Sequence, residues 1–180
     1  MRPGRHKSTR HWHGVMIIVL MLGWGTAMAS DWGLETSLEG GVSNEESPTM
    51  TLSLHRGVTA PSWLPGVLQP WSLQLSGRLL LMPGRNSEKS NAALILAPAL
   101  RHTFDSGIFV EGGIGAALFL DAKLRDSELG TAGQFEDRLA VGWPWRNGAL
   151  HLALTHYSNA SIKAPNDGLE VFSLGYRWRL

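Results

Sequence analysis

Apolar and polar residues alternate at every second position along much of this chain. Leu150, Leu152 and Leu154 are apolar, the residues between them are small or polar, and the same count continues to His156 and Ser158. Because successive side chains of a β-strand point to opposite faces, this period predicts strands with one apolar face. The pattern predicts about eight strands, around residues 32–39, 50–55, 71–81, 92–102, 107–121, 134–145, 150–158 and 170–180.

Strands of this length with one apolar face are typical of outer-membrane barrels. Lipid cannot satisfy the open edges of a sheet, so a membrane-spanning sheet must close. A soluble barrel of the lipocalin kind would place the leucines inside, and alternation alone does not choose between the two. Tryptophans near predicted strand ends favour the membrane, because aromatic girdles lie there: Trp32, Trp71, Trp143, Trp145 and Trp178. The sequence therefore predicts an all-β fold, an eight-stranded antiparallel transmembrane β-barrel of the bacterial outer membrane.

The less apolar faces of these strands carry charged residues of both signs. In a barrel of about eight strands the lumen is narrow and filled by side chains. We therefore expect the charged residues to pair in a polar core inside the barrel: Arg78, Arg101, Glu111, Glu136, Arg138, Arg177 and Arg179.

The lengths of the connections between the predicted strands indicate how the barrel is oriented in the outer membrane. Tight-turn signals at 105–107 and 146–148 alternate with longer polar segments at 82–91, 121–133 and 159–168, the arrangement of short periplasmic turns and long extracellular loops. One segment, 56–70, is long on the short-turn side, which indicates an extra periplasmic segment or a misplaced second strand. An even strand count places both termini in the periplasm, so His156 and Ser158 would end the seventh strand at the extracellular rim.

The N-terminus predicts a secretory signal peptide. Basic residues precede a short apolar run at 15–22, and Ala27-Met28-Ala29 gives the small-x-small cleavage pattern. A membrane-spanning helix is the alternative, but the run is well short of the ~20 residues that a span requires. We expect residues 1–29 to be removed and residues 30–180 to form a single barrel domain.

Composition excludes several kinds of site. Removing the four basic residues of the predicted signal from sixteen leaves twelve Lys and Arg against fifteen Asp and Glu, so no basic surface indicates nucleic acid. The absence of cysteine excludes disulfides and cysteine-metal sites. His55, His102 and His151 fall on separate predicted strands, which argues against a metal site, and no cofactor is implied.

Three chemical types that an ester hydrolase needs lie close together near the C-terminus. Ser158 offers a nucleophile, His156 an imidazole base and Glu170 a carboxylate that could orient the base. All three share the parity of the apolar positions, so they would project towards lipid, which suits an enzyme with a lipid substrate. The alternatives are a rim pair that binds water or headgroups, and a simple ion pair between Glu170 and Lys163.

The segment from His156 to Lys163 (HYSNASIK), followed by Pro165-Asn166-Asp167-Gly168 and Glu170, closely resembles the signature of the lipid A deacylase family PagL. The resemblance is strong over 156–176, weaker at 134–142, and extends to the first hundred residues only as barrel patterning. Members of that family are eight-stranded outer-membrane barrels that hydrolyse the ester at the 3-position of lipid A. The closing strand departs from the usual barrel pattern, since Leu180 rather than an aromatic residue is last.

The resemblance implies roles for individual residues. Ser158 corresponds to the nucleophile, His156 to the general base and Glu170 to the carboxylate that orients the imidazole. Oxyanion stabilisation is assigned to Asn166 with nearby backbone N–H groups. The remaining matches to substrate-binding or oxyanion positions are Asn159, Gly168 and Phe135, of which Phe135 could equally be an ordinary lipid-facing aromatic residue.

The sequence thus predicts a serine esterase of the outer membrane that hydrolyses the 3-linked acyl chain of lipid A in lipopolysaccharide. Its partners would be lipopolysaccharide and the surrounding lipid, with the active site facing the outer leaflet on the extracellular side. The sequence leaves open whether the protein forms a homodimer. Two alternatives also stay open: a non-enzymatic small barrel that anchors or adheres, and an outer-membrane phospholipase.

Overall fold

The computed structural model describes residues 33–58, 65–68, 70–84 and 89–180; the predicted signal peptide, Trp32 and parts of two connections lie outside these residues. Alternating sequence and backbone hydrogen bonding together define eight strands. They are β1 (Leu34–Ser43), β2 (Pro48–Val58), β3 (Ser72–Met82), β4 (Asn91–Thr103), β5 (Phe109–Phe119), β6 (Gly133–Trp145), β7 (Gly148–Ser158) and β8 (Leu169–Arg179).

The strands form one closed antiparallel barrel in which each pairs with the next and β8 returns to β1. Leu38 of β1, for example, lies opposite Tyr176 of β8. Every strand predicted from alternation coincides with an observed strand, so the predicted eight-stranded closed barrel is confirmed. Among the described residues, no helix is both long and apolar enough to cross a bilayer.

The apolar face of the strands points outwards. Leu96, Ile114 and Leu139 are each about two thirds exposed or more, at 74%, 65% and 67%. On the same strands, Glu111, Glu136 and Arg138 are buried in the lumen. This is the reverse of a soluble lipocalin-like barrel, and it matches a sheet whose outer surface is solvated by lipid.

The lumen contains a layer of paired charges. Arg138 donates a 2.8 Å hydrogen bond to Glu39 Oε1, and the Ser173 hydroxyl donates to Glu39 Oε2. Arg101 and Arg177 share Glu111, at 2.8 and 3.2 Å, in a second cluster. A third pair joins Arg78 and Glu136.

The predicted polar core is therefore confirmed for six of its seven residues. The prediction is wrong for Arg179, whose side chain is exposed at the end of β8. It shares the inward parity of Arg177, but it is the last residue of the strand and lies at the barrel mouth.

An apolar layer closes the lumen above the charges, and we call it the apolar plug. It consists of inward side chains from the strands and of two leucines from the connection between β5 and β6. Two of these strands, β4 and β5, are apolar on both faces, so alternation does not show which of their faces enters the lumen. The largest plug residues are Leu80, Met82, Ile95, Phe119, Leu124, Leu129, Tyr157 and Leu169.

The two ends of the barrel differ. The end that carries both described chain ends, here called the termini end, has the tight turns at 104–108 and 146–147. The opposite end, here called the loop end, carries L1 (44–47), L2 (83–90), L3 (120–132) and L4 (159–168). The connection between β2 and β3 is long although β2 lies where alternation placed it, so it is an inserted segment and not a misplaced strand.

Aromatic side chains gather at the termini end, as predicted for a girdle. Tyr176 stacks on Trp178 at 5.7 Å and meets Trp145 edge-on at 5.8 Å, while Trp71 packs against His102. Trp143 lies near the end of β6, close to the tight turn at 146–147.

The charge layer predicts that two Glu→Gln substitutions change the free energy of unfolding by different amounts. Replacing Glu39 by Gln removes the carboxylate that forms an ion pair with the buried Arg138 guanidinium, and we expect the free energy of unfolding to fall by about 3 kcal/mol. Glu46→Gln, in the exposed turn of L1, is the matched control and should stay within about 0.5 kcal/mol of the parent protein. Urea titration of the barrel in lipid vesicles measures both. Equal unfolding midpoints for the two variants would show that Glu39 does not stabilise the buried charge layer.

Candidate active site

His156 and Glu170 lie directly opposite each other on β7 and β8. Both side chains point out of the barrel and are 40% and 46% exposed. His156 Nδ1 lies 3.1 Å from Glu170 Oε1. Since a carboxylate only accepts hydrogen bonds, Nδ1 carries the proton and donates it, which leaves the Nε2 lone pair of the neutral ring available.

Ser158 follows two residues after His156 and so projects from the same face of β7. It is the last residue of the strand and is half-buried. The bonds of the described residues include none between the Ser158 hydroxyl and the His156 ring. Hydrogen bonds of this type are often long in a site without substrate. The predicted trio is thus brought to one outward-facing surface, with the histidine–carboxylate contact formed.

The strand positions around this surface are fixed from inside the barrel. Tyr157, Leu169 and Val171 alternate with the outward residues and are at most 4% exposed. Tyr157 also donates a hydrogen bond from its hydroxyl to Glu136 Oε2 at 3.1 Å. Sliding either strand by one residue would expose these side chains to lipid and bury the site, so packing inside determines the geometry outside.

Asn44 of L1 fixes the backbone of Glu170 on the side of β8 that faces β1. The Asn44 N–H donates to the Glu170 carbonyl at 3.0 Å, and the Glu170 N–H donates to Asn44 Oδ1 at 3.1 Å. The carboxylate therefore extends from a backbone that is fixed on both sides. Sequence analysis did not single out Asn44, because its pairing partner is more than a hundred residues away along the chain.

Gly168 supports the histidine ring. Its φ of +75° lies in the left-handed region, and an added Cβ would lie 3.0 Å from His156 Cε1. A side chain at this position would be strained and would press against the imidazole. The glycine thus lets L4 turn into β8 directly beside the ring.

Asn159 is buried, at 1% exposure, and organises L4 instead of facing the surface. Its side-chain amide donates to the carbonyls of Leu129 and Lys163, at 2.7 Å each. Its backbone N–H donates to Asn166 Oδ1 at 2.9 Å. All its donors are engaged within the protein, whereas Asn166 keeps its own amide N–H groups.

L3 and L4 are joined by further hydrogen bonds. The Glu128 N–H donates to Asp167 Oδ2 at 2.8 Å, and the Asp167 N–H returns to the Glu128 carbonyl at 3.2 Å. Gly130 packs so closely on L4 that a Cβ there would overlap the Pro165 carbonyl oxygen. The two loops therefore form one unit beside the site.

Phe135 and Asp137 lie on β6, on the far side of β7 from Glu170. Phe135 pairs with Ser158 and is 46% exposed, so its predicted place beside the nucleophile candidate agrees with the register. Asp137 pairs with His156 and also faces outwards. Sequence analysis missed Asp137 as a site residue. The available signal was a single charge in an outward row that is otherwise apolar.

A second serine–histidine pair lies inside the barrel and has the opposite polarity. His55 Nε2 is 3.0 Å from Ser37 Oγ, and Arg177 Nη2 is 3.2 Å from His55 Nδ1. Because arginine only donates, Nδ1 must accept, so Nε2 carries the proton and donates to the serine. Such a histidine cannot take the Ser37 proton. The pair belongs to the buried charge layer.

The two remaining histidines of the described residues lie apart from His156 and from His55. His151 is buried with its Nε2 3.1 Å from Glu39 Oε1, and His102 packs between Trp71 and Phe104 at the termini end. Within the described ranges, no three His, Asp or Glu side chains are grouped to hold a metal ion.

Comparison with known proteins places this arrangement in a family. The family model described as Lipid A 3-O-deacylase (PagL) matches residues 18–179. The chain belongs to this family. The resemblance first noted in the segment from His156 to Glu170 therefore extends over nearly the whole chain.

Individual members are similar over parts of their length. The chain is 44% identical over 70 residues to lipid A deacylase PagL of Pseudomonas aeruginosa, covering 38% of this chain and 40% of the relative. It is 34% identical over 83 residues to lipid A deacylase PagL of Bordetella bronchiseptica, covering 46% and 47%. In both, the match spans less than half of the relative's length.

The fold also agrees with an experimental structure. The crystal structure of the outer membrane enzyme PagL superposes with a TM-score of 0.71 at 28% identity, covering 81% of this chain and 99% of that one. The predicted fold class, an eight-stranded outer-membrane barrel, is confirmed.

The close approach of Gly168 to the His156 ring leads to a structural prediction. Gly168→Ala should displace the His156 ring and weaken its bond to Glu170, because the new methyl group meets Cε1 and the backbone is strained by about 1 kcal/mol. The imidazole resonances of His156 in micelles measure the change. Gly133→Ala is the control, since nothing lies within 4 Å of a Cβ there. Unchanged resonances in Gly168→Ala would refute the supporting role of Gly168.

Proposed function

We propose that this protein is an outer-membrane serine esterase that removes the acyl chain ester-linked at the 3-position of lipid A. The observation that carries the proposal is the 3.1 Å bond between His156 Nδ1 and Glu170 Oε1, displayed on the lipid-facing surface with Ser158 on the same face. Family membership supplies the substrate class. A lipid ester is the kind of substrate that can reach a site on the outer wall of a barrel.

In the proposed mechanism, Ser158 Oγ attacks the ester carbonyl while His156 Nε2 takes the hydroxyl proton. Glu170 stabilises the imidazolium that forms. The bond between the carbonyl carbon and the sugar oxygen then breaks, and His156 returns the proton to that oxygen. Water, activated by His156, attacks the acyl-serine, which releases the fatty acid and restores Ser158.

Negative charge develops on the carbonyl oxygen during attack, and a well-placed donor lowers that barrier by about 3 kcal/mol. Asn166 is the donor we propose, because its Oδ1 accepts from Asn159 N–H and its amide N–H groups are left for the substrate. Asn159 is reassigned from a substrate contact to a residue that positions Asn166. Gly168 makes room for the His156 ring.

The difference between the two ends of the barrel supports an active site on the extracellular side of the outer membrane. We place both termini in the periplasm, as in bacterial barrels with an even strand count, so the loop end would be extracellular. Ser158 would then lie at the level where outer-leaflet sugars meet their acyl chains. Phe135, opposite Ser158, would contact the lipid A moiety there.

Removing the nucleophile or the base tests the function. Ser158→Ala and His156→Ala should each lower the rate of deacylation by at least about 10⁴-fold, since the two act as one unit. The measurement is mass spectrometry of lipid A after expression in a host that lacks such an enzyme. Ser161→Ala, a serine exposed in L4, is the control and should keep full activity.

The same experiment separates the rivals. Lipid A spectra that are unchanged by the parent protein would favour a non-enzymatic barrel. Loss of acyl chains from phospholipid, with lipid A intact, would identify a phospholipase. Activity that persists in Ser158→Ala would exclude the proposed nucleophile.

Substitution of Glu170, the carboxylate that orients His156, should reduce kcat less than loss of Ser158 or His156. Glu170→Gln can still accept the Nδ1–H hydrogen bond but no longer carries the charge that stabilises the imidazolium, so kcat should fall by about 10²- to 10⁴-fold with little change in KM. Glu46→Gln, an exposed glutamate of L1, is the matched control. A Glu170→Gln variant with parental kcat would remove Glu170 from the mechanism.

A further inference from the structure

The pairing of β1 with β8 continues one position beyond β1, where Asn44 lies opposite Glu170. The last pair inside the strands is Ser43 with Val171, so the same register brings Asn44 to Glu170. In an antiparallel ladder, a hydrogen-bonded pair exchanges two bonds between backbone N–H and C=O groups. Here the Asn44 N–H donates to the Glu170 carbonyl at 3.0 Å, but the Glu170 N–H donates to the Asn44 side-chain Oδ1 at 3.1 Å. The side chain takes the place of a backbone carbonyl at the end of the ladder.

This arrangement determines how Glu170 faces His156. The N–H and C=O of one residue in an antiparallel ladder point to the same neighbouring strand. Both groups of Glu170 bond to Asn44, so His156 and Glu170 form a non-hydrogen-bonded pair across β7 and β8. Such pairs bring their side chains closer together, which suits the bond between His156 Nδ1 and Glu170 Oε1. The backbone of Glu170 therefore depends on Asn44 for both of its hydrogen bonds.

Glu45, the next residue of L1, anchors this end of the ladder to L3. It is buried, at 7% exposure. Its carboxylate accepts the Asp126 backbone N–H at 2.7 Å and the hydroxyl of Ser127. Consecutive residues of L1 thus bind two different parts of the chain, Asn44 the start of β8 and Glu45 the connection L3. A shift of Asn44 away from β8 would break the bonds of Glu45.

The turn that carries Asn44 is closed by its own backbone. The Ser43 N–H donates to the Ser47 carbonyl at 2.9 Å, and the Glu46 N–H donates to the Ser43 carbonyl at 2.9 Å. L1 is therefore a short turn with little freedom to move relative to β1. The side chain of Asn44 is presented to Glu170 from a fixed backbone.

We infer that Asn44 is a positioning residue for the esterase reaction. It fixes the backbone from which the Glu170 carboxylate reaches His156, and Glu45 in turn holds Asn44 in place. The inference rests on the proposed esterase function. Asn44 touches neither the imidazole nor the reacting atoms in this account, so its whole effect passes through Glu170.

The expected effect is on geometry and not on stability. Asn44 is exposed, so water can satisfy the Glu170 N–H when the side chain is removed, but water does not fix the position of the backbone. A misplacement of about 1 Å can reduce a rate by about 10²-fold. Because the Asn44 backbone N–H stays in place, we expect a smaller loss of about tenfold in kcat for Asn44→Ala. KM should be unchanged, since the carboxylate orients the base and does not bind the substrate.

A matched control exists at another pair of strands. The Asn91 Oδ1 accepts the Asp121 N–H at 3.2 Å, and its side-chain amide donates to the Asp121 carbonyl at 2.8 Å. Asn91 thus extends the ladder between β4 and β5 by a side chain, as Asn44 does between β1 and β8. Neither β4 nor β5 carries a residue of the proposed triad, so Asn91→Ala should keep parental kcat and KM.

The decisive measurement is a double-mutant cycle on purified protein in micelles with lipid A as substrate. Asn44→Ala is compared with its parent, and the same substitution is then made in a Glu170→Ala background. If Asn44 acts through Glu170, the tenfold loss seen in the parent background should shrink to within about twofold in the second. An equal loss in both backgrounds would show that Asn44 only supports the barrel and would overturn the inference. Parental kcat in Asn44→Ala would overturn it as well.

Two further variants keep the test decisive if Asn44→Ala folds poorly. Asn44→Asp retains an acceptor for the Glu170 N–H and should recover most of the lost kcat, whereas a loss equal to that of Asn44→Ala would refute the role of the Oδ1 acceptor. Glu45→Ala should lower kcat by a smaller factor, again only while Glu170 is present, and a parental kcat would show that Glu45 does not hold Asn44. Failure of the proposed function gives a different result, because the parent protein would then leave lipid A intact.

Discussion

Tyr157, Leu169 and Val171 are packed inside the barrel, and their burial determines which residues of β7 and β8 can face lipid. A strand has only two faces, so fixing the inward set fixes the outward set as well. His156 is thereby held opposite Glu170, and the loops need only refine the contact. Closure of the sheet adds to this, because a barrel without edges has no free strand that could slip.

The loops add local constraints at three points. Asn44 binds the backbone of Glu170, Gly168 leaves space for the imidazole, and Asn159 ties L4 to L3. Each contact joins segments that are distant in sequence or depends on a backbone angle. The contact between His156 and Glu170 is consequently held by packing and hydrogen bonds within the protein itself.

Strand positions, barrel closure and the outward face of His156, Ser158 and Glu170 could be predicted from the chain because period-two alternation encodes them directly. The apolar plug could not, since β4 and β5 are apolar on both faces and alternation is then silent about direction. Asp137 was missed because its proximity to His156 arises from the register of β6 against β7. Arg179 was misplaced since parity does not reveal where a strand leaves the lumen.

The plug and the charge layer beneath it also bear on the membrane as a whole. Side chains of five strands and of L3 pack together in the plug, with Leu80, Leu129 and Leu169 at most 1% exposed. A lumen filled in this way offers no aqueous path for ions or nutrients, unlike a porin. A cell could therefore carry many copies of this protein without compromising its permeability barrier.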